Sequence, residues 1–231
     1  MSLNPFGSIE NYPQMLNKIA GYTFAVSLAC LLLLNWQIPA LGALTSKLKS
    51  TLPIEGLAIP VAVIVPAFLV ALVSRIMKLH DLVSDVLGIR AHFDVEAILM
   101  PLALGAGVRL GADEIPKLRA ERNQLMGDAF YEFASGSRPK IDRHYVTMAL
   151  DQWSWYWVIV EAAVVLGITA VLLLIFGRAL PAAVSELLLL GMLFVLARIR
   201  VGCVRYALNE VREILSDPAR SLGVAGVFSA L

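Results

Sequence analysis

Two carboxylates stand where carboxylates are costly. Glu161 lies inside the apolar run 156–176, and Glu186 inside the apolar run 179–197. An ionised acid at mid-bilayer costs about 2.5–3.5 kcal/mol on insertion scales, so such acids face protein or water. At a rise of 1.5 Å per residue, Glu161 is about 8 Å into its run. No Lys or Arg occurs in any apolar run to pair with it. Three roles are open to it: facing a polar cavity, bonding a neighbouring helix, or carrying a proton. Glu186 lies seven residues into its run and can reach towards the surface. Asn35, near the far end of the run 19–38, completes the intramembrane polar set, although simple solvation would also account for it.

Other constellations are poorer. His80, His92 and His144 are scattered, with neither an HExxH nor a paired-cysteine context. His92 and Asp94 lie two apart, a spacing better suited to packing or hydrogen bonding than to a metal. Asp81 and Asp85 share a helix face at a spacing of four and read as a solvated face. Gly105, Gly107 and Gly111 lack the Lys-Ser/Thr or the preceding strand of a phosphate loop. The two cysteines, Cys30 and Cys203, are far apart and suggest neither a disulfide nor a metal site. The expectation is no catalytic residue, no metal, no cofactor and no enzyme.

Basic residues form two clusters between the second and third apolar runs: Lys117, Arg119 and Arg122, then Arg138, Lys140 and Arg143. Arginine forks suit phosphate, so these six are candidates for binding a phosphorylated ligand. Contact with anionic headgroups, or a solvated charged face, is the plainer reading. Nucleic acid as such is a poor fit, because the segment 78–152 holds nine basic against eleven acidic residues.

The elements that must position these groups are membrane helices. Of 231 residues 58% are hydrophobic and 16% charged, with a mean hydropathy of +0.75; soluble domains are about a quarter charged. Four runs approach the roughly 20 residues a span requires: 19–38, 56–74, 156–176 and 179–197. A fifth, 98–108, is too short and reads as a buried helix or a surface-dipping segment. The expected class is all-α, a polytopic protein with two transmembrane hairpins and a helical insert. Its parts are an N-terminal segment 1–18, hairpin one at 19–77, the insert 78–152, hairpin two at 153–197, and a C-terminal helix and tail 198–231. The N-terminal stretch has no basic n-region and does not resemble a cleavable leader.

Orientation follows from the basic residues. With the N-terminus inside, the outer loops hold Lys47, Lys49 and Arg178, and the remaining 16 of 19 lie inside, as the positive-inside rule requires. Both termini and the insert are then cytoplasmic, in a plasma (inner) membrane. Trp36 and the group Trp153, Trp155, Tyr156 and Trp157 mark span borders if they sit at headgroup level; packing inside a domain is the alternative. Small pairs, Ala67 with Ala71 and Ala163 with Gly167, permit close helix approach. Pro60 and Pro66 would kink the second span.

In the insert, a short helix runs from Leu79 to Leu87 and stops at Gly88. Asp94 should cap the next helix, with Pro101 kinking or ending it. Asp113 begins another that reaches about Ala134, broken by Ser135-Gly136-Ser137. Asp142 precedes a pattern that runs straight into the third span, and Arg198 to Asp217 continues the fourth as an amphipathic helix that stops at Pro218.

This layout resembles the membrane effectors of bacterial anti-phage defence systems, in particular the channel effector of the Hailong type. The segments that prompt the likeness are residues 80–100, HDLVSDVLGIRAHFDVEAILM, and 141–158, IDRHYVTMALDQWSWYWV. The resemblance implies an oligomeric ion channel controlled by a nucleotide oligomer from a partner enzyme, whose opening depolarises the cell. It carries over no functional residue. Four helices with two acids cannot wall a wet path alone, so an ion path is expected to need several subunits. The leading expectation is therefore a homo-oligomeric, ligand-gated channel or pore-forming effector in the lipid bilayer, with a nucleotide or short oligonucleotide as ligand. The alternative is a non-conducting membrane anchor for a soluble partner enzyme.

Overall fold

The computed structural model describes residues 9, 11–47, 51–54, 57–135 and 138–231. Among the described residues the regular structure is helical apart from one short antiparallel strand pair, and the chain divides into two compact units. One unit comprises Leu16–His80 and Ser154–Arg198; the other comprises Met1–Met15, Asp81–Trp153 and Ile199–Leu231.

The first unit holds the apolar helices. Helix α1 (Tyr12–Gln37) begins seven residues before the apolar run, where Asn11 Oδ1 accepts the Gln14 N–H at 3.0 Å. It stops ahead of Pro39, which opens α2 (Pro39–Lys47). Proline at a first helical position loses nothing, since that N–H has no intrahelical partner. Strands β1 (Thr51–Ile54) and β2 (Leu57–Pro60) then pair antiparallel. The second span is therefore not 56–74. Gly56 lies outside the described residues, and Pro60 ends a strand instead of kinking a helix. Helix α3 (Val61–Met77) carries Pro66 inside it and spans 17 residues, about 26 Å long. Lys78 then takes a left-handed φ of 48°, and α4 (Leu79–Leu87) leaves at a bend of 59°.

Helices α10 (Arg143–Ile175) and α11 (Ala179–Leu215) complete this unit and also contribute to the other one. Three helices, α1, α10 and α11, are long and apolar enough to cross a bilayer; the bent pair α3–α4 makes a fourth if taken as one span. Phe68 and Leu69 on α3, Ile168 and Val171 on α10, and Leu187 and Phe194 on α11 are all exposed. Water would not tolerate so much apolar surface, whereas lipid does. The interior is sealed by small contacts, with Ala67, Leu173 and Ala182 wholly buried. The small pair Ala67 and Ala71 is buried, whereas Ala163 and Gly167 are only half-buried.

The second unit is built from short helices: α5 (Ile89–Phe93), α6 (Met100–Gly105), α7 (Glu114–Ala120), α8 (Arg122–Met126), α9 (Glu132–Ala134) and α12 (Pro218–Phe228). Two π-helical stretches, Asp94–Leu99 and Gly127–Tyr131, interrupt them. Pro101 does not end its helix; it stands in the first turn of α6, just after the chain changes from π to α winding. Asp94 is not an N-cap; it has helical dihedrals, and its carboxylate faces Arg90 and Arg122. The run 98–108 supplies core, with Leu99, Leu102 and Ala103 fully buried. Helix α12 packs on α6 and on the second π stretch, capped by Asp217, which accepts the Ala219 N–H at 2.8 Å. Of the expected break at 135–137, Gly136 and Ser137 lie outside the described residues.

The aromatic border is mostly packing. Trp153 meets Phe93 edge-on at 4.4 Å within the second unit. Tyr156 and Trp157 are buried, and Trp155 lies 5.1 Å from Tyr22 in the first. Only Trp36, 81% exposed, has the freedom of a headgroup-level ring.

Candidate functional site

Glu161 is completely buried at the centre of a polar cluster drawn from four helices. Thr23 Oγ1 of α1 donates to Glu161 Oε2 at 2.6 Å, and Ser74 Oγ of α3 donates to the same oxygen at 2.5 Å. His80 Nδ1, at the start of α4, stands 3.4 Å from Glu161 Oε1. Of the three roles open to Glu161, bonding its neighbours is the one observed. The bend at Lys78 is what brings His80 there, since a straight α3 would carry residue 80 further along its axis. The imidazole is buried and lies 5.7 Å from the Trp157 ring.

Two hydroxyls directed at one oxygen hold the carboxylate in one rotamer. The second oxygen and the imidazole can share a proton, so the pair can store or pass one without moving a helix. A buried cation lies in the same unit: Lys18, 0% exposed, places its Nζ 3.9 Å from the Trp155 ring centroid, a cation–π geometry. At that basic end Arg75 donates twice to Asn17 Oδ1, at 3.0 and 2.8 Å.

His80, Thr23 and Ser74 were not singled out as partners of Glu161. A signal was present. Thr23 follows Lys18 by five residues and Glu161 lies five past the start of its run, so those two fall at similar depth, while Ser74 adjoins the basic Arg75.

The other intramembrane candidates do not join this cluster. Asn35 is half-buried and accepts the Thr45 hydroxyl at 2.6 Å, which ties α1 to α2. Glu186 is exposed on α11 among leucines.

The second unit has a cleft of about 290 Å³ lined by Asp81, Asp85, Arg90, Asp94, Arg122, Asn123, Met126 and Tyr131. Arg90 is its hub, reaching the Tyr131 hydroxyl at 3.2 Å, Asp81 at 3.5 Å and Asp94 at 4.0 Å. Asp94 also faces Arg122 at 3.7 Å. Burial pushes its carboxyl up to about 6, against the pull of Arg90 and Arg122. Arg90 belonged to neither basic cluster in the sequence, yet it organises the cleft.

The six phosphate candidates do not converge. Arg122 turns into the cleft and donates to Asn123 at 2.6 Å. Lys117 Nζ donates to the Leu231 carbonyl at 3.1 Å, and Lys140 pairs with Glu132 at 2.6 Å. Arg119, Arg138 and Arg143 are exposed. His92 pairs with Glu96 at 2.8 Å on an exposed face. Among the described residues no three His, Cys, Asp or Glu side chains group as metal ligands.

Comparison with known proteins adds a lineage. The model of a family described as the YmfE protein family matches residues 11–223. An Escherichia coli K12 protein, named as uncharacterized protein YmfE, is 26% identical over 171 residues, covering 70% of this chain and 69% of that one. No solved structure matches.

Proposed function

The chain belongs to the YmfE protein family, and we propose that it is an oligomeric, ion-conducting membrane protein whose controlling charge is the Glu161–His80 pair. One observation carries the reading: a fully buried carboxylate, 3.4 Å from a buried imidazole, inside a bundle of apolar helices. Ionisable groups at membrane depth mark ion paths and proton relays more often than they serve packing. Opening such a path would depolarise the membrane, the outcome expected of a defence effector. Control by a phosphorylated ligand on the exposed arginines of the second unit is the regulatory half of the proposal.

The test is Glu161→Gln in purified protein reconstituted into liposomes. It keeps the shape of the carboxyl but removes its charge and cannot exchange a proton with His80. The expected result is normal insertion and an ion flux altered about tenfold or more. Unchanged flux would remove the controlling role. A second reading, the non-conducting anchor, is favoured by the two hydroxyls that tie Glu161 Oε2 to α1 and α3, since a helix clamp needs no more. It predicts no flux in wild type and a lower melting temperature in the variant.

A further inference from the structure

We propose that the conducted ion is a proton, and that it moves inside a single subunit along a seam of hydroxyls leading from Glu161 to an apolar plug. The proposal rests on the reading just given, and it replaces the expectation that several subunits must build the path.

The seam lies on α1 and α10. Thr23, Ser27 and Cys30 fall at spacings of four and three on α1, which places them on one helix face, and all three are buried. Thr23 binds Glu161 directly. Cys30, about 10 Å further along the axis, and Thr169, two turns beyond Glu161 on α10, are both buried. Polar groups therefore stand at both ends of this stretch, with Ser27 between them.

Ser27 is the telling residue. A hydroxyl in a membrane helix ordinarily donates to the carbonyl four residues back, as Thr169 does to Val165 at 2.8 Å and Ser185 to Pro181 at 2.9 Å. Ser27 does not. Its Oγ is buried, the residue is 2% exposed, and the atom has no hydrogen-bond partner among the described residues. Buried polar atoms left without a protein partner are completed by ordered water. A water at Ser27 would link the Glu161 cluster to the Cys30–Thr169 level. Protons then pass by exchange: each hydroxyl or water accepts one on a lone pair as it releases its own, so no group changes its net charge.

The seam stops at Leu34 of α1, Ile38 just past its end, Leu173 of α10 and Ala182 of α11, a cluster closed further by Leu31, Leu33, Leu41 and Leu172. Leu34 is one turn past Cys30, and Leu173 one turn past Thr169. Nothing in that layer donates or accepts a proton, so it holds the path shut by dryness. The burial of Ala67, Leu173 and Ala182 to 0% leaves the helices too close for a hydrated metal cation, whereas a proton relay needs only single waters.

The test uses the full chain in liposomes that contain a pH-sensitive dye, with a potassium gradient and valinomycin to drive proton entry. Leu173→Ser should raise proton uptake about tenfold, and adding Ser27→Ala to it should return uptake towards the wild-type level. Ser27→Thr in its place should keep the raised rate, which a mere packing role for Ser27 would not predict. Equal melting temperatures for the Ala and Thr variants exclude misfolding. If neither Leu173→Ser nor Ser27→Ala changes uptake while Glu161→Gln does, the seam is wrong and the conducting reading survives. Sodium flux alongside protons would also overturn the seam. If Leu173→Ser and Glu161→Gln are both silent, the conducting reading itself fails.

Discussion

Residues decide this protein's chemistry through who their neighbours are. Glu161 and Asp94 are both buried carboxyls, yet their surroundings differ in kind. Glu161 faces two neutral hydroxyls and an imidazole, whereas Asp94 faces two guanidinium groups at 3.7 and 4.0 Å. Despite those arginines, burial dominates and lifts Asp94 to about 6. The sign of the consequence follows from linkage. With its carboxyl raised above the unfolded value of 3.8, the native chain binds more protons than the unfolded one between those two pH values. The group therefore favours the fold most fully below the lower value, and that contribution is lost as pH rises through about 6, with a span of about 3 kcal/mol. Melting temperature should rise on going from pH 7.5 to 5, and Asp94→Asn should flatten that rise. A variant as pH-sensitive as wild type would assign the effect to other groups.

Elements show how far the sequence can be read. Apolar length identified α1, α10 and α11, because a run that long has one stable solution in lipid. The start of α10 beside Asp142 was also legible, and Asp142 Oδ1 accepts the His144 N–H at 2.8 Å. The second span was misplaced because 57–60 is as apolar as a helix, and composition does not say which backbone such residues adopt. Prolines 53 and 60 within β1 and β2 were the available sign. Neither π stretch was legible, since each is set by tertiary packing of residues such as Ile98 and Phe130. The cluster around Glu161 was half legible: the acid announced itself by depth, but His80 arrives through the turn at Lys78, whose left-handed φ no pattern of residue types encodes. Gly88, by contrast, was read correctly as a stop, and its φ of 64° explains it. A Cβ there would meet nothing within 4 Å, so Gly88→Ala isolates backbone strain. It should lower stability by about 1 kcal/mol, measured by thermal unfolding. No loss would mean that α4 and α5 can join through another conformation.

At the scale of the whole molecule, charge and lipid set the direction in which the chain lies. Lys18 and Arg75 mark one end of the bundle and Arg198 and Arg200 follow the apolar part of α11, while the turn between α10 and α11 carries Arg178 alone. Retaining the positive charge on the cytoplasmic side predicts that the turn at Arg178 and helix α2 face outwards, and that the second unit faces the cytoplasm. Cysteine labelling tests this with little background, since Cys30 and Cys203 are both free and buried. Cysteine placed at Leu44, 60% exposed on α2, should react with a membrane-impermeant thiol reagent in intact cells. Cysteine at Ser135 or Ser229, both exposed, should react only after the membrane is opened. The orientation also fixes the polarity of the proposed path: the Glu161 cluster would open to the cytoplasm and the plug of Leu34, Ile38, Leu173 and Ala182 would close the outer end. Labelling at Ser229 from outside would invert the topology, and with it the polarity of the path, so that the plug of Leu34, Ile38, Leu173 and Ala182 would close the cytoplasmic end.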